Sequence, residues 1–434
     1  MTFRYHGLPR SVFGAIAEGG GGAEALSLLA AAQYSKHQLL LERIIRMQDA
    51  AKYGQPGLTS CGYDLLAEAQ HRDPEAAGVV IRHPSVAAWA ARALRGSRNE
   101  AGADAEPRAL CTVGAAAAIR AMLPAQIEVP VSGGVVMLPS LGAAAASGDH
   151  AVVRVTATGA YVESGGRRVQ VPPDPHQDSP GWSGLRRISV PGLDVLMDDL
   201  DPFRMPAVPD LVSRLSAAQT AMWVEAFHEA WPALDLHHPA TAAEIAALVK
   251  VVVPRKSASR GMVSSSSPEA FGGVAMSQPT GRRALAVTLT HEVQHIKLSA
   301  LLDVVSLTWP GDGRLFYAPW RDDPRPVDGL LQGAYAFLGV TGFWRRQRDL
   351  EHGAAGTDAH AQYARWRAAT ALATRTLSSS GQLTPAGTEF VNGIQRTLTA
   401  WMAEPVPGEA RELARRQAEQ HRDRWVSAHG PIPA

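Results

Sequence analysis

The sequence predicts an α+β protein: predominantly helical, with a strand-containing middle region and a helical catalytic half that carries an HExxH motif. Apolar residues recur at helical spacing through residues 1–125 and again through much of 207–434. Short β-type runs broken by Gly, Pro and Ser occupy 126–206. At 434 residues, with 46% hydrophobic and 19% charged side chains, the chain can bury substantial cores and does not have a disordered composition. The expected regions are therefore a helical 1–125, a strand-rich 126–206 and a mostly helical 207–434.

In the first region, Leu26, Leu28, Leu29, Leu39, Leu40, Ile44, Ile45 and Met47 predict a helix over 24–52, ended by Gly54 and Pro56. Val86, Trp89 and Leu94 predict another over 84–96. Residues 99–107 read as a surface loop, and 108–123 as helix. The middle region offers strands at Ile127–Val131, Val135–Leu138 and Val152–Val155, then a Pro/Asp/Ser/Gly-rich loop over 172–186.

Helices are expected at 210–231 and 240–249; Val251–Pro254 and the Gly/Ser-rich stretch from Gly261 to Gly273 then suggest a strand, a turn and another strand or flexible flap. Further helices are predicted over 283–305, 327–349, 358–377, 385–402 and 408–427. Thr384 before Pro385 supplies a helix-start signal. The Arg/Glu-rich 411–424 reads as a solvated helix face.

Charge and cysteine usage exclude several classes. The 42 basic and 41 acidic side chains leave a net charge of +1, where a nucleic-acid or anionic-membrane partner favours a basic excess. Cys61 and Cys111 are too few for a disulfide framework, lack CxxC spacing, and read as buried free thiols. The residues from Met1 to His6 show no signal-peptide pattern, and no window approaches the ~18 apolar residues of a membrane span. A cytoplasmic protein is expected.

The chemistry-bearing motif is His291-Glu292-Val293-Gln294-His295. Positions i and i+4 share one helix face, so both imidazoles can grip one metal ion. Glu292 can then reach a metal-bound water or orient a bound ligand. Two histidines and a carboxylate on an otherwise apolar helix are costly unless paired or ligated. A third ligand is needed. His360, at the start of an expected helix, and Asp323, in the loop Trp320–Pro326, are both candidates. Arg321 and Arg325 in that loop can clamp a carboxylate, or form ordinary salt bridges.

Several segments together resemble the HExxH-type peptide β-hydroxylases, enzymes that modify ribosomally made peptides. They are Val287–His295, Tyr317–Pro326, Gly329–Phe337 and Ser379–Val391, within a resemblance spanning about 210–400. It implies non-haem Fe(II) with 2-oxoglutarate as cosubstrate, and a precursor peptide as substrate, with other maturation enzymes of the pathway as possible partners. It places iron on His291 and His295, Glu292 beside the metal, and the distal carboxylate of 2-oxoglutarate on Arg321 or Arg325. Ser264–Gly273 can accept an extended peptide by strand addition, or be a simple surface hairpin.

Two other classes compete. In a zinc metallopeptidase, Glu292 is the general base acting on zinc-bound water. In a non-catalytic peptide-binding protein the motif is a relic, against which the intact His291, Glu292 and His295 speak.

Overall fold

The computed structural model describes residues 6–48, 56–96, 106–257 and 261–432, and helix accounts for 55% of the chain against 16% strand. The α+β, mostly helical expectation is met. The first helices are α1 (Arg10–Ala17), α2 (Gly22–Gln48), α3 (Pro56–Arg72), α4 (Pro74–Ile81), α5 (Pro84–Gly96) and α6 (Leu110–Arg120). Strands follow as β1 (Ala125–Pro130), β2 (Val135–Leu138), β3 (Gly142–Ala145), β4 (His150–Thr156), β5 (Gly159–Ser164) and β6 (Arg167–Gln170). Next come β7 (Trp182–Gly184), β8 (Arg186–Val190), β9 (Leu193–Met197), α7 (Ala217–His237) and α8 (Pro239–Leu248). Then β10 (Val251–Arg255), β11 (Ser264–Ser266) and β12 (Gly273–Ser277) precede α9 (Arg282–Leu302) and α10 (Val327–Gln347). The chain closes with α11 (Gly353–Ser379), α12 (Pro385–Met402) and α13 (Gly408–His429). Of the expected loop over 99–107, residues 99–105 lie outside the described residues.

The chain divides into two units, each assembled from separated segments. One comprises Met1–Ala32, Ala226–Leu248 and Thr280–Ala434; the other comprises Gln33–Glu225 and Val249–Pro279. The sequence predicts three consecutive regions, 1–125, 126–206 and 207–434. The units interleave instead, because a segment joins the core that buries its apolar face, wherever it falls along the chain.

The strand-bearing unit holds three sheets, ordered β1-β4-β5-β6, β2-β3-β7 and β11-β12-β10-β9-β8. In β4, alternate residues are buried, the pattern of a strand with one covered face. Gly165 and Gly166 both take positive φ between β5 and β6, as a two-residue type I′ hairpin requires. In the five-stranded sheet, β10 pairs in parallel with both β9 and β12. The run Val251-Val252-Val253 is wholly buried, which explains its unbroken apolar character. The short β11 forms one edge of that sheet.

Helices α3 and α6 meet at two glycines. A Cβ on Gly62 would lie 2.7 Å from the Cys111 nitrogen, and one on Gly114 would overlap the Gly62 carbonyl. Close backbone approach is what these glycines permit. Both cysteines are free, and Cys111 is buried as expected, whereas Cys61 is exposed. The Cys111 thiol donates to the Leu58 carbonyl at 2.9 Å, and burial pushes its pKa up to about 12. Native protein should therefore lose one thiol quickly to a maleimide and the second only on unfolding, as read by mass spectrometry. The raised folded pKa also sets a sign. Between the unfolded value of 9.0 and about 12 the unfolded chain releases the Cys111 proton while the folded chain keeps it. Stability should fall by up to about 1.4 kcal/mol per pH unit across that window, an increment that Cys111→Ala removes.

The other unit is built of helices. In it α9 packs against α8 and α10, α10 against α11, and α11 against α12 and α13. Thr384 caps α12 by accepting from the Gly387 amide at 3.0 Å, as its position before Pro385 predicts. The Arg/Glu face of α13 is exposed and laced by Arg415 with Glu412 at 2.8 Å and Glu419 at 2.6 Å. Beneath α9, fully buried Lys297 donates to Glu244 at 2.6 Å and to the Gly19 carbonyl at 3.1 Å. Among the described residues, no helix is long and apolar enough to cross a membrane.

Candidate metal centre

Helix α9 runs for 21 residues without an internal Gly or Pro. Leu285, Leu289, Val293, Ile296 and Leu301 are buried, whereas His291, His295 and Ser299 remain partly accessible. Their spacing of four places the two imidazoles on the one stripe of the helix that a ligand can approach. Glu292, between them in sequence, is only 1% exposed and lies on the covered side.

The imidazoles converge. Their Nε2 atoms are 3.0 Å apart and the rings meet edge-on at 77°. From α10, Gln332 sits 3.0 Å from His295 Nδ1 through its Oε1, and its amide nitrogen donates to Ser299 at 3.4 Å. With its nitrogen engaged by the hydroxyl, the glutamine presents an acceptor to His295. Nδ1 therefore carries the proton, and the lone pair lies on Nε2. Burial, reinforced by the neighbouring His295, holds the His291 pKa well below the usual histidine value. A neutral imidazole is the form that ligates a metal. Two nitrogens 3.0 Å apart fit adjacent positions on one ion with metal–nitrogen bonds of about 2.0–2.1 Å.

An aromatic wall adjoins the pair. His291 meets Phe337 edge-on at 5.2 Å; Phe337 in turn stacks on Trp320 at 4.9 Å and touches Trp366 at 4.5 Å. Trp320 brings the 317–326 loop to the site, and Gly333 on α10 makes the room, since a Cβ there would overlap the indole. The loop is held from behind by α13. Tyr317 hydrogen-bonds His421 at 2.9 Å and packs against Trp425, and His429 Nε2 lies 2.6 Å from the Asp322 carbonyl oxygen. Its own ends are bridged by paired backbone bonds between Phe316 and Arg325.

The remaining sequence candidates are placed as follows. Asp323 lies between the two arginines of the loop, 2.8 Å from Arg321 and 3.5 Å from Arg325. Arg321 is half exposed. Arg325 is less exposed, lies over Gly329, and has a buried Nε without a hydrogen-bond partner among the described residues. His360 stands on α11 near Arg348 and Asp349, at the far end of α10 from Gln332. Burial lowers its pKa. Neither His360 nor Asp323 comes together with His291 and His295. Among the described residues no third His, Cys, Asp or Glu joins that pair in a ligating group.

Four contributors had no role in the sequence reading: Gln332, Phe337, Trp320 and Trp366. Gln332, a polar residue set among Leu330, Leu331, Gly333 and Ala334, was the available signal. Comparison of the chain with protein-family models and with curated proteins finds no match.

Proposed function

We propose that this chain is an Fe(II)/2-oxoglutarate-dependent oxygenase that hydroxylates a β-carbon in a ribosomally made precursor peptide, in the cytoplasm and alongside other maturation enzymes. The observation that carries the metal assignment is the convergence of two imidazoles, His291 and His295, on the accessible stripe of α9. The choice of iron and of a peptide follows the sequence resemblance across α9, the 317–326 loop, α10 and the start of α12.

In this reading His291 and His295 hold the metal, and Gln332 keeps His295 in the ligating tautomer. Bound iron and 2-oxoglutarate supply the oxidising chemistry. Among the described residues His291 and His295 are the side chains that would hold the metal, leaving room beside them for 2-oxoglutarate. Arg325 is the stronger partner for the distal carboxylate, given its buried, unsatisfied Nε. Trp320, Phe337 and Trp366 shield one side of the centre from water and offer an apolar surface to a peptide side chain.

The net reaction consumes peptide, 2-oxoglutarate and oxygen, and yields hydroxylated peptide, succinate and carbon dioxide. The test is anaerobically purified protein given Fe(II), 2-oxoglutarate and then oxygen, with and without a precursor peptide encoded nearby. Peptide-stimulated succinate with one added oxygen on the peptide supports the proposal. Peptide cleavage restored by zinc after chelation, without succinate, overturns it in favour of a metallopeptidase.

A further inference from the structure

A second group of ligating side chains sits in the strand-bearing unit, built wholly from that unit's own residues. His83 lies in the turn between α4 and α5, and Asp198 and Asp201 lie just beyond β9. Each of the three offers one ligating atom, and these atoms are all within 4.8 Å of one another. Exposure is 4% for His83, 0% for Asp198 and 3% for Asp201.

Hydrogen bonding orients the group. Asp198 accepts from the Leu200 and Asp201 amides through Oδ1, at 3.1 and 2.9 Å, while its Oδ2 has no partner among the described residues. Asp201 accepts from the Phe203 amide at 2.8 Å and from the Ser85 hydroxyl. Ser85 Oγ is also 2.8 Å from His83 Nδ1. Since that hydroxyl gives its proton to Asp201, it accepts from His83, so Nδ1 bears the hydrogen and Nε2 a lone pair. His83 Nε2 likewise has no partner. Arg204 stands nearby; its Nη groups are used on the carbonyls of Asp201 and Val212, and its buried Nε has no partner among the described residues. Within this buried group a nitrogen of His83 and an oxygen of Asp198 are thus left without partners among the described residues, which is costly unless a cation satisfies them.

We infer that His83, Asp198 and Asp201 form a second, structural metal site that binds a first-row divalent ion of the Mn(II), Fe(II) or Zn(II) class. One imidazole and two carboxylates suit such ions. The ion ties the α4–α5 turn to the end of β9 and so fastens helices to the five-stranded sheet. Complete burial makes it a fastening site rather than a substrate site. The inference does not rest on the proposed activity.

The test uses the full chain carrying His291→Ala and His295→Ala, so that the α9 pair contributes no metal. The protein is stripped with chelator, offered Mn(II), Zn(II) or, anaerobically, Fe(II), and desalted. Metal content by mass spectrometry and thermal midpoint are then read. About one equivalent of ion per chain with a raised midpoint is expected, and both should vanish on adding Asp198→Asn. His83→Gln provides the same comparison should Asp198→Asn fail to fold. No retained ion in the parent chain, or equal retention in the folded variants, overturns the inference.

Discussion

Alanine at His291 or His295 is expected to remove metal-dependent turnover while leaving the fold in place. The pair are the two imidazoles that the structure brings together, and both lie on the partly accessible stripe of α9 rather than in its packed faces. Deleting either should lower metal affinity by well over the roughly 10–100-fold typical of residues that only orient a ligand. Gln332→Leu should fall within that smaller range, since it frees the His295 tautomer without removing a donor. Metal titration followed by the succinate assay reads both effects, and circular dichroism reports the fold. Metal binding and turnover unchanged in His291→Ala would remove this centre from consideration.

The largest stability effect is expected beneath the same helix. Lys297 is 0% exposed, and its ammonium is satisfied by Glu244 and the Gly19 carbonyl; Gln294 reaches the other Glu244 oxygen at 3.2 Å. Burial pushes the Glu244 pKa up and that of Lys297 down, and each charge counteracts the shift of the other. Removing one partner strands a charge in a dry core, so Glu244→Leu or Lys297→Met alone should cost about 3–5 kcal/mol. Replacing both with apolar residues of similar size, Glu244→Leu with Lys297→Met, should cost far less. Denaturant unfolding of the four chains gives the coupling directly. Additive single and double effects would show that the pair does not act as a unit. Because Gln294 precedes His295 and packs on Gly339 of α10, loss of the pair is also expected to loosen the register between α9 and α10, and with it the contact from Gln332 to His295.

Where local pattern and tertiary packing agree, elements could be read from the chain. Helix α5 and helix α12 match their expected spans, the first through its apolar stripe and the second through the Thr384–Pro385 start signal. Elements that depend on neighbours were missed. Helices α3 and α4 pack against α6, α3 through small residues such as Gly62, which carry little periodic signal. The strands from β5 to β9 are short, and β7 begins inside a stretch whose Pro, Asp and Gly content reads as loop. Helix α7 continues through Pro232, where the sequence suggested an end.

For the site, the sequence alone determined that His291 and His295 share one face, because helical spacing of four is a local property that holds wherever α9 sits. It also singled out the 317–326 loop, whose Trp320 stacks on Phe337 beside His291. Only the tertiary structure decided what surrounds the pair: Gln332 setting a tautomer, Trp320 and Trp366 reaching Phe337, Asp323 held by arginines, and His360 standing apart. The same holds for His83, Asp198 and Asp201, whose separation of more than a hundred residues hides them from any pattern along the chain. Contacts between distant segments are chosen by which apolar faces pack together, and that choice has no local signature.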